Sequence, residues 1–133
     1  DYYGSFEKLK SAFKSFITNL PFYGFAVLCY DHEEVRLLAE QVNDRRIITY
    51  GFSEAADVMI TNVRKSDIKG FMFDIKLSDR ISYDKKLIQD IYLPMLGLHN
   101  VQNASAAIAI AVDLGFSDEE IKNGFSLFEG VKR

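Results

Sequence analysis

Apolar residues recur at three- and four-residue intervals near the start of the chain, which is the spacing of one face of an α-helix. The positions in this stripe are Phe6, Leu9, Phe13, Phe16, Ile17 and Leu20. Ser5 can cap this helix and Pro21 ends it, so the pattern predicts a helix between them. The regular stripe indicates a helix that packs on a core.

A continuous apolar run over residues 24–30 predicts a strand that is buried on both faces. A second helix is predicted next, with Asp31 and Glu34 as an acidic form of the capping box at its start. Its apolar positions are Val35, Leu38 and Val42. Residues 46–50 are rich in β-branched side chains and predict a second strand. Strand, helix and strand have the length of one βαβ unit, so we expect the two strands to be parallel.

Plain alternation of apolar and polar residues begins at Val58 and predicts three half-exposed strands. The positions expected on one face are Val58, Ile60 and Asn62 in the first strand, Phe71, Phe73, Ile75 and Leu77 in the second, and Leu87, Gln89, Ile91 and Leu93 in the third. Polar turns at residues 64–70 and 78–84 separate these runs. The segment therefore predicts a small antiparallel sheet packed beside the parallel one.

Two helices are predicted at the end of the chain. Residues 97–107 read GLHNVQNASAA, and the helix that begins there extends to about Leu114. This helix is rich in alanine and apolar on nearly all sides, which indicates that it is buried against a sheet. Ser117 and Glu120 form a capping box for the last helix. The apolar stripe of that helix is Ile121, Phe125 and Phe128.

These elements predict an α/β fold in which a parallel βαβ sheet is flanked by helices and accompanied by a small three-stranded antiparallel β-sheet. Residues 1–57 supply a helix and the βαβ unit, residues 58–96 the antiparallel sheet, and residues 97–133 the two final helices. The length of 133 residues, with 48% apolar and 14% aromatic residues, suits one globular domain.

Charge and hydropathy patterns limit the classes of partner. The formal net charge is -3 and no cluster of Lys and Arg is longer than a pair, so we expect no nucleic-acid partner. No apolar run approaches the roughly 20 residues that cross a bilayer, and the first residues lack the pattern of a secretory signal. We therefore expect no membrane association and a cytoplasmic location.

Few residues indicate chemistry by themselves. The single cysteine, Cys29, lies in an apolar run and is interpreted as a small buried side chain, whereas His32, at the first turn of a predicted surface helix, is interpreted as solvated. Asn100 and Asn103 fall on one side of the first turn of the alanine-rich helix. Asparagine at this place either caps the helix or binds a base or an anion, and the residues alone favour the cap.

Four phrases, in their order along the chain, resemble those of one known family. Residues 97–107 are similar to the motif that follows the small sheet in the central, ATP-binding domain of the Mur ligase family. The Phe-x-Gly-x-x-Arg phrase at residues 128–133 is similar to the one that ends this domain. Residues 19–24 (NLPFYG) and 48–53 (ITYGFS) resemble phrases of the alanine-adding members.

The resemblance implies an ATP-dependent ligase of peptidoglycan synthesis that joins L-alanine to UDP-N-acetylmuramate through an acyl phosphate. ATP and Mg2+ are the implied cofactors of the full-length enzyme. By matching positions, His99, Asn100 and Asn103 are implied to lie at the adenine. Arg133 is implied to belong to the same ATP-binding set. An asparagine amide suits adenine because its C=O and NH2 groups can pair with the N6 donor and the N7 acceptor together.

The chain also departs from the family pattern. It contains no Gly-x-x-x-x-Gly-Lys-Ser/Thr phosphate loop, and the family's magnesium-binding Glu and His and the second Arg expected after Arg133 are missing from these residues. We therefore expect no catalytic residue and no metal site within this chain, no ligase activity, and no tight binding of ATP or Mg2+ by these residues alone. A sheet cut through its first strands exposes an edge, so we also expect self-association through that edge.

The sequence leaves alternatives open. A sibling Mur ligase, or the ligase that recycles a murein tripeptide, shares this domain, although residues 19–24 and 48–53 argue against both. A different class is a non-catalytic nucleotide-binding or interaction module of the same fold. A phosphate-loop segment encoded directly upstream of Asp1 would favour the enzyme, whereas a start codon there would favour the module.

Overall fold

The computed structural model describes residues 4, 6–10, 25–41 and 46–128. Within these ranges the chain forms five strands: β1 (Ala26–Cys29), β2 (Ile47–Gly51), β3 (Val58–Lys65), β4 (Phe71–Leu77) and β5 (Leu87–Leu93). Three helices accompany them: α1 (Glu33–Gln41), α2 (Leu98–Asp113) and α3 (Asp118–Ser126). Residues 6–10 are also helical, as predicted, and the rest of the predicted first helix lies outside the described residues. None of the helices in the described ranges is long and apolar enough to cross a membrane.

The strands form a single mixed sheet in the order β1-β2-β3-β4-β5. The pairs β1–β2 and β2–β3 are parallel, and the pairs β3–β4 and β4–β5 are antiparallel, which confirms the predicted α/β class and its mixture of strand directions. The antiparallel part is hydrogen-bonded to the parallel part and does not form a second sheet beside it. Strands β2 and β3 are parallel neighbours, and the short connection over residues 52–57 joins them. Only the last residues of β2 pair with the first residues of β3.

The two C-terminal helices pack on this sheet as their patterns predicted. Helix α2 lies across β2 and β3, and its small side chains allow its backbone to approach the strands closely. Its fully buried alanines are Ala104, Ala106, Ala107 and Ala109. Helix α3 packs on β5 through Ile121 and Phe125. Its capping box is confirmed, because the Glu120 N–H donates to Ser117 Oγ (3.1 Å) and the Ser117 N–H donates to Glu120 Oε1 (2.9 Å).

The N-terminal part of the sheet is less buried than its sequence predicted. Every residue of β1 is only half-buried, and α1 contains no buried residue, with Leu37 and Leu38 each 53% exposed. The prediction of a strand buried on both faces was therefore wrong for these described residues. Strand β1 ends the sheet, and within the described ranges no other strand covers its outer edge.

The face predicted for β5 was also wrong in its first half. Ile88 is fully buried, whereas Leu87 and Gln89 are exposed. The register between β4 and β5 shifts at a bulge, where Asp90 adopts a positive φ of 60°. The extra residue reverses the alternation, so Ile91 and Leu93 return to the expected face beyond it.

A buried carboxylate on β4 holds this bulge and a second one on β3. Asp74 accepts hydrogen bonds from the Asp90 N–H (2.9 Å), Asn62 Nδ2 (3.0 Å) and Arg64 Nη1 (3.2 Å). Asn62, expected on the core face, is exposed and has a φ of 54°. Burial by itself would raise the pKa of Asp74, but these hydrogen bonds hold its pKa below the ordinary value. The alternation pattern could not reveal either bulge.

A second buried carboxylate joins the β2–β3 connection to the loop after β4. Asp57 accepts hydrogen bonds from the Thr49 N–H (3.0 Å), Ser78 Oγ (2.7 Å) and Arg80 Nη2 (3.0 Å). Burial by itself would raise the pKa of Asp57, but the hydrogen bonds from Arg80, Thr49 and Ser78 hold its pKa below the ordinary value. The cluster fixes the path by which the chain leaves β2 and enters β3.

Candidate functional site

The carboxyl ends of two parallel strands meet the N-terminal half of α2. Strand β1 ends at Cys29 and β2 ends at Gly51, and their parallel pairing places both ends at the same edge of the sheet. Ligands of α/β proteins bind characteristically at this edge, where loops leave the strands. The asparagines singled out from the sequence lie on α2, which packs across this part of the sheet.

Asp31 occupies the junction between these three segments. Its Oδ2 accepts hydrogen bonds from the Phe52 N–H (3.0 Å) and from Gln102 Nε2 (2.7 Å), and its Oδ1 accepts one from the Ser53 N–H (2.9 Å). Asp31 was predicted to cap α1 with Glu34, and this was wrong, because α1 begins at Glu33 and the Asp31 carboxylate bonds to the β2–β3 connection and to α2.

Gly51 makes room for this carboxylate at the end of β2. Its φ of +142° lies in the region that favours glycine, and a Cβ at this position would lie 2.5 Å from Asp31 Oδ2. A side chain here would therefore push the carboxylate away from the N–H groups of Phe52 and Ser53. A glycine is therefore needed at this position of the phrase at residues 48–53, because a larger residue would clash with the Asp31 carboxylate.

Helix α2 begins without the side-chain cap that the residue types favoured. Gly97 occupies the N-cap position, and no side-chain hydrogen bond caps the first turn. Neither Asn100 nor Asn103 therefore caps the helix. Asn100 instead donates one of its two Nδ2 hydrogens to the Leu96 carbonyl oxygen (2.7 Å), which restrains the orientation of its amide. Pairing with adenine uses the C=O and one N–H of an asparagine together, so Asn100 can make that contact only in the orientation that the Leu96 bond sets.

Asn103 differs from Asn100 in this respect. Its side chain is half-buried, and neither end of its amide is hydrogen-bonded to a residue in the described ranges. His99 is exposed, and its ring lies over Gly97, where a Cβ would meet its Cε1 at 2.7 Å. Arg133, the fourth residue of the predicted ATP-binding set, lies outside the described residues.

The titratable side chains nearby are not arranged for nucleophilic catalysis. Burial raises the pKa of the Cys29 thiol, and the charge of Asp31 also opposes the thiolate. Burial likewise raises the pKa of the neighbouring Tyr50 phenol. Cys29 is half-buried, close to the prediction of a small buried side chain, and His32 is exposed as predicted. Both Cys29 and Tyr50 are therefore neutral near pH 7.

A cleft of about 570 Å³ lies beside the start of α2. Phe52 and Leu98 form part of its wall, together with residues 60–65 of β3, and these two side chains are 41% and 52% exposed. His99, Asn100 and Asn103 do not line this cleft. Within the ranges that the structure describes, no three His, Cys, Asp or Glu side chains come together as metal ligands.

Sequence patterns missed Asp31 and Gln102 as parts of this junction. The signal for Asp31 is an acidic residue directly after an apolar run that forms a parallel strand. The signal for Gln102 is its place between the two asparagines of the phrase at residues 97–107. Neither signal identifies the partner, because Asp31 and Gln102 are 71 positions apart.

The amino-acid sequence of the chain is similar to those of known proteins. A family model described as the Mur ligase middle domain matches residues 1–111. Over all 133 residues the chain is 50% identical to a UDP-N-acetylmuramate--L-alanine ligase from Rhodospirillum centenum and 53% identical to one from Novosphingobium aromaticivorans. The chain spans 27% and 28% of the lengths of these two curated relatives.

The fold of this chain is also similar to that of a solved structure. The crystal structure of MurF from Acinetobacter baumannii matches with a TM-score of 0.65 and 26% sequence identity. The match covers 85% of this chain and 22% of that chain. The similarity therefore extends over most of the chain.

Proposed function

Because the chain belongs to the Mur ligase family and matches its middle domain, we propose that it forms part of the ATP-binding domain of a ligase that joins L-alanine to UDP-N-acetylmuramate. The observation that supports this choice most strongly is the identity of 50% across the entire chain with a relative named for that reaction. The phrases at residues 19–24 and 48–53 support the same member of the family. The resulting amide belongs to peptidoglycan synthesis, and so to cell-wall biogenesis, cell shape and cell division.

In the proposed reaction a carboxylate oxygen of UDP-N-acetylmuramate attacks the γ-phosphorus of ATP and ADP leaves. The amine of L-alanine then attacks the carbonyl carbon of the acyl phosphate, inorganic phosphate leaves, and the amine loses a proton as the amide forms. The part of this chain is to hold the adenine. Asn103 pairs its C=O with the adenine N6–H and its NH2 group with N7, and His99 lies beside this contact.

Asn100 has a smaller part in this proposal than the resemblance implied. One hydrogen of its NH2 group is bound to the Leu96 carbonyl, so its other N–H and its carbonyl oxygen contribute only in the orientation that this bond sets. Arg133 completes the proposed ATP-binding set from the end of the phrase at residues 128–133. Residues 1–57, 58–96 and 97–133 remain our proposed subdivision of the domain.

Ligases of this family use ATP and Mg2+. Among the described residues no three metal-ligating side chains come together, and we assign no step of the reaction to a metal held here. These 133 residues also contain no phosphate-loop pattern. We propose that residues elsewhere in the full-length protein handle the phosphates, and that the 133 residues alone bind ATP only weakly and do not catalyse the reaction.

The partners in this proposal are the small molecules ATP, UDP-N-acetylmuramate and L-alanine, with no nucleic acid and no membrane. ATP and nucleotide-activated sugars are metabolites of the cytoplasm, so we propose that the ligase acts there. The net charge of -3 gives no basic surface that would favour a polyanion over a small nucleotide.

The test is alanine-dependent release of ADP by the full-length protein that carries this chain, supplied with ATP, Mg2+ and UDP-N-acetylmuramate. We expect release with L-alanine and little with D-glutamate or a murein tripeptide. Turnover with the tripeptide, or with D-glutamate when the acceptor already carries L-alanine, would identify a sibling ligase. Nucleotide binding without turnover on any of them would identify the non-catalytic module and contradict the proposal.

A further inference from the structure

We infer that Asp31 and Gln102 are positioning residues that set the orientation of Asn103 for the choice of nucleotide base. The inference rests on the proposed function, because it assigns them to the recognition of adenine. Neither residue is expected to touch the reacting phosphate. Each acts through the placement of α2, one through its carboxylate and the other through its amide.

The contacts of Asp31 are those of a structural anchor. All three of its nitrogen donors are neutral: the N–H groups of Phe52 and Ser53 and the amide of Gln102, at distances from 2.7 to 3.0 Å. Among the described residues, no Lys, Arg or His forms an ion pair with this carboxylate. A carboxylate held by oriented N–H groups has little freedom to rotate, so it is a fixed point for its partner on α2.

The position of Gln102 connects this anchor to the base. It directly precedes Asn103, and successive residues of an α-helix are turned by about 100° around its axis. Fixing Gln102 on the sheet side therefore fixes the direction in which Asn103 points. Near this end of α2 the fully buried hydrophobic side chains include Val101, Ala104 and Ala107, none of which is large. The hydrogen bond of Gln102 adds a directional contact that restrains the rotation of the helix about its axis.

Gly51 shows that the junction is shaped around the carboxylate. A Cβ there would lie 2.5 Å from Asp31 Oδ2 and 2.6 Å from Oδ1, and the positive φ of Gly51 is unfavourable for other residues. Both features keep the space beside β2 open for Asp31. The strand, the carboxylate and the helix therefore form one connected unit.

Gln102→Met in the full-length protein is the direct test, because methionine has a similar length and volume but cannot donate to Asp31. We expect the KM for ATP to rise about fivefold to tenfold with kcat changed by less than about twofold. We also expect the preference for ATP over GTP, measured both as a ratio of kcat/KM values and by equilibrium binding, to fall by at least about threefold. A helix that merely lost stability would weaken both nucleotides equally.

Two further variants complete the experiment. Gln41→Met makes the same substitution at the exposed end of α1, away from the Asp31 hydrogen bonds, and should leave all values unchanged. Asp31→Asn should have a larger effect than Gln102→Met, because either orientation of its amide directs NH2 at a backbone N–H of Phe52 or Ser53. A parallel thermal melt reports the folded state of each variant.

The outcomes separate this inference from the proposed function. An unchanged ATP preference in a folded Gln102→Met variant, or equal weakening of ATP and GTP, would overturn the inference. If the wild-type protein binds ATP but does not use L-alanine, the proposed function fails while the binding ratio still decides the inference. If the wild-type protein binds neither nucleotide, both are wrong.

Discussion

At the scale of single residues, the amide of Asn103 is the group on which base recognition depends in the proposed function. Replacement by alanine in the full-length protein removes both hydrogen bonds to adenine, so we expect the KM for ATP to rise about tenfold or more with kcat nearly unchanged. Steady-state kinetics with varied ATP measures this effect. The matched variant is Asn100→Ala, which should have the smaller effect because the Asn100 NH2 group is bound to the Leu96 carbonyl. Equal effects, or an unchanged KM in Asn103→Ala, would contradict the assignment.

Residue types alone favoured a capping role for Asn100 and Asn103 over a contact with a base. They predicted a helix cap, whereas Gly97 occupies the N-cap position and neither asparagine caps α2. The family resemblance singled out the phrase at residues 97–107, which also contains Gln102, a partner of Asp31. Asp31 was missed because its partners lie 21, 22 and 71 positions away, beyond the range of any local pattern.

At the scale of elements, the buried Asp57 cluster should control how the β2–β3 connection responds to acid. Its pKa is lowered in the folded protein, so Asp57 contributes stability that is present above the unfolded pKa of about 4 and is lost as the pH falls through the lower folded value. Asp57→Asn should therefore lower the thermal midpoint by about 1–3 °C at pH 7, since an amide cannot accept every donor in the cluster. Thermal melts of the full-length protein at several pH values measure this.

The pH series and two further variants are the controls for Asp57→Asn. The deficit of Asp57→Asn should shrink below about pH 4, because protonation removes the same charge from the wild-type protein. Arg80→Gln should cost less than Asp57→Asn, because the Arg80 side chain is 63% exposed and solvent replaces part of its contact. Asp67→Asn, on an exposed turn, should leave the midpoint unchanged at every pH. A pH-independent deficit would show that the charge of Asp57 does not stabilise the fold.

Elements were predicted best where the signal is local. The capping box of α3 and its apolar stripe depend on residues within one or two turns, and both are confirmed. Strand β5 was harder, because the positive φ of Asp90 shifts its register and Asp90 is not a glycine that would have signalled this. The half-burial of β1 depends on what lies beside it in the sheet, and alternation along the strand contains no information about that.

At the scale of the whole molecule, the edge of β1, which no other described strand covers, predicts how the 133-residue polypeptide behaves by itself. The N–H groups of Ala26 and Tyr30 bond to the neighbouring β2 segment, so the alternating N–H groups of Val27 and Cys29 point outwards. Together with the exposed Leu37 and Leu38, this edge should drive association at micromolar concentration. Sedimentation velocity over a concentration series measures it.

Val27→Pro is the variant that isolates the edge, because it removes an outward N–H and leaves the bonds to β2 in place. Val27→Lys places a charge on the same strand and serves if the proline disturbs folding. Both should shift the polypeptide towards the monomer, with an unchanged far-ultraviolet circular dichroism spectrum. A wild-type polypeptide that stays monomeric over the same range would contradict the prediction.

The hydrogen bond between Asp31 and Gln102 has a consequence for the order of folding. It joins residues 71 positions apart, and β2, β3, β4 and β5 all lie between them along the chain. Closing so long a loop costs entropy that only the intervening strands can offset, so this contact requires the sheet to be assembled first. Under the proposed function, the base-recognition site is therefore completed late in folding. ATP then binds only the finished domain, and each bound nucleotide protects that domain against unfolding.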